Sequence, residues 1–156
     1  MSTLKDKTIL VTGAGNGIGR AVSKGFAAAG ATVVLLDKDV PAMERLYDEV
    51  IDDGSPEPAI YPMDLAGASP DDYFRMAETI GSNFQTLEGL LHNASFLPYL
   101  SRIDDYESDI WFQVIELEGG KTGFFRRSGF GIAPTARAGT EDKFPFSFPD
   151  GKRAVH

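Results

Sequence analysis

The chain of 156 residues contains no cysteine and only two histidines, His92 and His156. The lack of cysteine excludes disulfides, thiolate nucleophiles and cysteine-ligated zinc, and two histidines disfavour a histidine-built metal site. No apolar run has the length needed to cross a bilayer, and the polar residues 1–7 are not organised as a signal peptide. The sequence therefore predicts a cytoplasmic protein without metal.

Positive charge is also scarce. The chain has 15 Lys and Arg against 23 Asp and Glu, a net charge of -8, which argues against nonspecific binding to nucleic acid or to an anionic membrane. Residues 1–118 carry 8 basic and 20 acidic side chains, whereas residues 119–156 carry 7 and 3. With 42% hydrophobic residues the composition is that of a globular domain, and it changes abruptly near residue 118.

A glycine-rich segment, Thr12-Gly13-Ala14-Gly15-Asn16-Gly17-Ile18-Gly19, follows an apolar run of strand length and precedes a helix-patterned stretch. Glycines suit a tight turn in which backbone N–H groups approach a pyrophosphate and the helix starts close to the sheet. The pattern alone is weak, but a strand before it and a helix after it strengthen it. It predicts a dinucleotide site.

An acidic residue at the expected distance supports this prediction. Asp37 ends a second apolar run, residues 32–36, about twenty residues beyond the glycines. A carboxylate there can accept hydrogen bonds from the adenosine ribose and repels a 2′-phosphate, so NAD is favoured over NADP. Lys38 weakens this preference slightly.

Helical periodicity follows each of the first two strands. Ile18, Val22, Phe26 and Ala29 share one helical face that we expect to pack on the sheet, and Gly30 can end this helix. A second helix begins behind Pro41 and ends before Gly54, with its apolar face formed by Met43, Leu46, Tyr47, Val50 and Ile51. Residues 59–63 form a third predicted strand.

The alternation continues to residue 115. Ser69 and Pro70 start a helix whose apolar face is formed by Tyr73, Met76, Ala77, Ile80 and Phe84. Residues 87–92 are the fourth predicted strand, and a last helix covers residues 106–115. This order predicts an α/β fold, a Rossmann-type doubly wound parallel sheet that is incomplete at about four strands. The ligand crevice of such a sheet lies outside the carboxyl ends of strands one and four, which carry the glycine segment and Asn93.

Over roughly residues 5–116 the chain resembles the short-chain dehydrogenase/reductase family. The resemblance rests on the glycine segment, on Asp64-Leu65 and on the strand end Leu90-Leu91-His92-Asn93-Ala94-Ser95. It extends to a bacterial subgroup of oxidoreductases related to 3-oxoacyl-carrier-protein reductases. It implies the following contacts: Gly13, Asn16, Gly17, Ile18 and Gly19 with the pyrophosphate, Asp37 with the ribose, Asp64 and Leu65 with the adenine, and Asn93 and Ala94 beside the nicotinamide ribose.

The catalytic pair that the resemblance leads one to expect is absent from the sequence. The family uses a tyrosine as acid and base with a lysine four residues later, and none of the five tyrosines has that partner. No catalytic residue is therefore predicted. Ser95 stands where the family has glycine, and His92 is expected to be a packed strand histidine rather than an acid or base.

The last segment, residues 119–156, departs from the family pattern. It contains no leucine, yet it holds six of the eleven phenylalanines and seven of the seventeen glycines, so it cannot supply a buried parallel strand. We expect an irregular tail that is either disordered or covers a sheet edge. Its abrupt change in composition is what a shifted reading frame or an alternative terminal segment would produce. Three hypotheses remain open. The first is an oxidoreductase that transfers hydride between NAD(H) and a carbonyl or alcohol of an unidentified small molecule, with only the cofactor half in this chain. The others are a catalytically silent NAD-binding module that acts through a partner, and a nonfunctional truncated product. A homo-oligomer would cover the unpaired edge of strand four.

Overall fold

A computed structural model describes residues 3–84, 86–95 and 109. Its four parallel strands are β1 (Thr8–Thr12), β2 (Thr32–Asp37), β3 (Ala59–Pro62) and β4 (Gly89–Leu91). Its three helices are α1 (Gly17–Ala28), α2 (Val40–Asp52) and α3 (Pro70–Asn83). The strands lie in the order β3-β2-β1-β4, so the chain passes from one half of the sheet to the other between β3 and β4. The predicted Rossmann-type α/β fold is confirmed for this part of the chain.

Alternation along the strands gives the sheet two separate cores. On one face Ile9, Val11, Val33 and Leu35 pack with the buried residues of α2. On the other face Leu10, Val34 and Leu36 pack with the buried residues of α3. Because both faces are covered, β1 is buried along its whole length, and this explains its continuous apolar run.

Glycine ends the first two helices, as predicted. Gly30 has φ +93° and donates its N–H to the Ala27 carbonyl, and Ala31 donates to Phe26. Gly54, with φ +72°, ends α2 with two hydrogen bonds of the same spacing along the chain. A residue with a Cβ is strained at these positive φ angles, which is why glycine is found at both helix ends.

The buried face of α1 differs from the prediction. The fully buried residues are Gly19, Ser23 and Ala27, whereas Ile18 is 74% exposed and Phe26 is partly buried. At Gly19 a Cβ would overlap the Gly13 carbonyl oxygen, so there is no room for a large side chain where α1 begins. The prediction was wrong here because it weighted hydrophobicity over side-chain size.

The third strand and the helix after it follow the sequence closely. Pro62 is tolerated because β3 is the outermost strand of the described sheet, where a missing N–H costs no ladder hydrogen bond. At the start of α3 the backbone N–H and the hydroxyl of Ser69 both donate to the Asp72 carboxylate, at 2.8 and 2.7 Å. These bonds hold the pKa of Asp72 below its usual range.

Several predictions fall outside the described residues. They concern the helix at residues 106–115, of which Asp109 alone is described and is helical, and the segment 119–156. The fourth strand is shorter than the predicted 87–92. None of the helices among the described residues is long and apolar enough to cross a bilayer.

Candidate functional site

A crevice of about 400 Å³ opens at the carboxyl ends of β1, β2 and β4, where the strand order reverses. In doubly wound sheets ligands bind at this position. Nine of the ten residues that the sequence analysis singled out line it, and Gly19 is the exception. The nine are Gly13, Asn16, Gly17, Ile18, Asp37, Asp64, Leu65, Asn93 and Ala94.

Two glycines shape the wall of this crevice. Gly13 has φ +66°, and a Cβ there would lie 2.9 Å from both the Ala94 Cα and the Asn93 Nδ2. Gly17 has φ +53°, but nothing lies within 4 Å of the position of its missing Cβ. Gly13 is thus required by close packing, whereas Gly17 leaves open space at the start of α1, where a ligand can approach the backbone.

Gly19 follows the glycine turn, residues 13–16, and is not in the lining. A Cβ at this position would overlap the carbonyl oxygen of Gly13 and lie 2.5 Å from the Asn93 Nδ2. Its role in this structure is therefore to let α1 start against the glycine turn.

The Asp37 carboxylate at the end of β2 is oriented by two backbone groups. Its Oδ2 accepts a hydrogen bond from the Gly15 N–H at 2.9 Å, and its Oδ1 accepts one from the Asp39 N–H at 3.1 Å. A carboxylate has acceptor capacity beyond these two bonds. Asp37 therefore links the glycine turn to the loop between β2 and α2 and can still accept bonds from a ligand.

Thr12 lies outside the lining but holds two residues of it in place, and the sequence predicted no role for it. It is fully buried, and its hydroxyl oxygen accepts hydrogen bonds from the N–H groups of Asn93 and Ala94, at 3.1 and 3.0 Å. The Asn93 side chain donates in turn to the carbonyls of Thr12 and Gly13, both at 3.1 Å. These contacts join the ends of β1 and β4. A threonine that closes an apolar strand just before glycine was the available signal.

The opposite side of the crevice is formed by the segment after β3. Leu65 is buried, whereas Asp64 is exposed and its Oδ1 accepts a hydrogen bond from the Ala66 N–H at 3.0 Å.

Two further residues follow β4. Ser95 is exposed and belongs to the lining. His92 is not in the lining; the residue is exposed, and nearby protein atoms desolvate its ring and lower its pKa.

The charges of the crevice are arranged for a ligand with one anionic part. Asp37, Asp64 and Lys38 are the charged residues of the lining. The first turn of α1 carries no acidic residue, and its N–H groups and helix dipole favour an anion there. Among the described residues no group of three potential metal ligands occurs. The residues present fit a ligand that has a phosphate at α1 and polar groups near Asp37.

Comparison with known proteins agrees with this geometry. The model of the short chain dehydrogenase family matches residues 7–122. The uncharacterized oxidoreductase YciK of Escherichia coli K12 is 29% identical over 119 residues, which are 76% of this chain and 47% of that protein.

Two solved structures show the same similarity. One from Pseudomonas syringae, assigned as a short chain dehydrogenase, is 33% identical with a TM-score of 0.77, covering 81% of this chain and 52% of that one. One from Escherichia coli CFT073, complexed with NADPH, is 28% identical with a TM-score of 0.77, covering 81% and 53%. The chain thus spans about half the length of these proteins.

Proposed function

This chain belongs to the short-chain dehydrogenase family, and on that premise we propose that its crevice binds a nicotinamide dinucleotide as the cofactor half of an oxidoreductase. The observation that carries the proposal is the meeting of the glycine turn, Asp37 and Asn93 around one crevice. A relative of the same fold is complexed with NADPH, which supports this class of ligand.

The proposed contacts follow the shape of the crevice. The pyrophosphate lies at Gly13, Asn16, Gly17 and Ile18, with Gly19 giving the helix start its close approach. The adenosine ribose lies at Asp37, the adenine lies at Asp64 and Leu65, and the nicotinamide ribose lies beside Asn93 and Ala94. When bound, the nicotinamide supplies hydride transfer to or from a carbonyl or alcohol.

For the choice between the two nicotinamide cofactors, we propose NAD. The Asp37 carboxylate is held in the lining by two backbone N–H groups, so a 2′-phosphate beside it meets a fixed negative charge. Lys38 lies in the same lining and favours NADP, as does the NADPH-bound relative. NADP is therefore the second candidate.

The catalytic contribution of this chain is proposed to be small. Its 156 residues include no tyrosine with a lysine four positions later. Without that pair no tyrosine has the lysine that would lower its pKa for the proton transfer that accompanies hydride transfer. The alternative of a catalytically silent dinucleotide-binding module rests on this same fact. The relation to 3-oxoacyl-carrier-protein reductases, a cytoplasmic location and a homo-oligomer remain predictions.

Calorimetric titration with NADH and NADPH tests the proposal. We expect saturable binding of both cofactors, with the tighter binding for NADH. Asp37→Asn should narrow the difference in affinity between NADH and NADPH, because it removes the negative charge but keeps an acceptor oxygen. Asp52→Asn at the far end of α2 is the matched control. Absence of saturable binding would refute cofactor binding, and tighter NADPH binding by the unmodified chain would refute the NAD preference alone.

A further inference from the structure

Asn16 precedes α1 in the position of an N-cap residue but does not cap the helix. Its backbone is extended, with φ -140° and ψ 170°, as an N-cap requires, yet its side chain makes no hydrogen bond to the first turn. Asparagine is among the best capping residues, because its side-chain oxygen reaches the second or third N–H of the helix. Another contact therefore competes with the helix for the Asn16 side-chain amide.

Asp39 provides the competing contact. Its Oδ2 accepts a hydrogen bond from the Asn16 Nδ2 at 3.4 Å, and its Oδ1 accepts one from the Ala42 N–H at 3.0 Å, which caps α2. The Asp39 backbone N–H is bonded to Asp37, so the position of this loop is fixed. One carboxylate thus caps α2 and also accepts a hydrogen bond from the Asn16 side chain.

We propose that Asp39 is a positioning residue that keeps the amino terminus of α1 open for the pyrophosphate by holding the Asn16 side chain off it. The inference rests on the proposed function, because it assumes that the phosphates bind at this helix end. When the Asp39 carboxylate is absent, the Asn16 oxygen turns to the N–H groups of Ile18 and Gly19. The helix then caps itself and competes with the ligand for the same donors.

A double-mutant cycle separates this occlusion from the effect of charge. Asp39→Ser keeps a good cap for α2, since serine is a preferred N-cap, but its hydroxyl is too short to bridge to Asn16. Losing a negative charge near the crevice favours an anionic ligand in every Asp39→Ser protein. Asn16→Ala added to Asp39→Ser therefore reports on the Asn16 side chain alone.

We expect Asn16→Ala to change the Kd for NADH in opposite directions in the two backgrounds. In the unmodified background Asn16→Ala raises the Kd for NADH, because a lining residue is lost. In the Asp39→Ser background the same substitution lowers the Kd by about fivefold, the factor to which a typical N-cap free energy converts. Asn16→Ala with the same effect in both backgrounds would overturn the inference, and Asp52→Ser serves as the remote control.

Hydrogen exchange tests the same inference without a ligand. The amides of Ile18 and Gly19 should exchange about fivefold more slowly in Asp39→Ser than in the unmodified chain, and Asn16→Ala should abolish this protection. Unchanged exchange in Asp39→Ser would contradict the inference even if NADH binds. If NADH does not bind the unmodified chain, the proposed function fails, and the exchange measurement still decides whether Asp39 holds Asn16.

Discussion

Two alanine substitutions in α1 should have opposite effects on stability. Gly19 and Gly25 lie in the same helix, and replacing either with alanine raises helix propensity by about 0.5–1 kcal/mol. At Gly25 nothing lies within 4 Å of the new Cβ, so this gain should appear in full. At Gly19 the new Cβ would overlap the Gly13 carbonyl oxygen and crowd the Asn93 Nδ2.

The size of the difference follows from these contacts. Overpacking against backbone that cannot move easily costs about 1–3 kcal/mol and sometimes more, which exceeds the propensity gain. We therefore expect Gly25→Ala to raise the free energy of unfolding by up to about 1 kcal/mol, and Gly19→Ala to lower it by about 1–2 kcal/mol. Urea unfolding followed by far-UV circular dichroism measures both. A Gly19→Ala protein as stable as Gly25→Ala would refute the close approach of α1 to the glycine turn.

Three further predictions follow. Thr12→Val should lower the free energy of unfolding by about 2–4 kcal/mol in urea titration, because it leaves the partly buried N–H groups of Asn93 and Ala94 without their acceptor. An unchanged midpoint would exclude this role. The pKa of Asp72 is depressed in the folded protein, so its ionised carboxylate stabilises the fold at pH values above the Asp72 pKa of the unfolded chain. This stabilisation is lost as the pH falls through the Asp72 pKa of the folded protein. Ser69→Ala should therefore raise the Asp72 pKa measured by NMR and flatten the loss of stability towards acid pH, and an unshifted pKa would contradict the capping contact. The isolated chain should show no NADH-dependent turnover over a carbonyl and alcohol panel, and turnover that tracks the purified protein would reveal an acid other than a tyrosine paired with lysine.

Much of this fold could be predicted because its signals are local. The apolar runs of β1 and β2, the glycines after α1 and α2, and Ser69 with Pro70 each mark an element boundary through its own chemistry. The meeting of the glycine segment with Asn93 was also predictable, since parallel strands carry their carboxyl ends to one edge.

The parts that escaped prediction depend on distances between segments. Gly19 starts α1 against the Gly13 carbonyl and Asn93, and helical periodicity contains no information on that approach. The roles of Thr12 and Asp39 likewise arise from partners about 81 and 23 positions away along the chain. A single sequence identifies such residues as polar but does not identify their partners.

Backbone NMR with NADH as the titrant tests the central claim most directly. The account predicts saturable shifts of the amides that line the crevice, with Gly13, Gly17, Asp37 and Ala94 among the largest. The amide resonances of exposed residues of α3, such as Glu78 and Gly81, should not shift. Saturation without shifts at the glycine turn, or shifts confined to α3, would contradict a dinucleotide site at the carboxyl ends of β1 and β4.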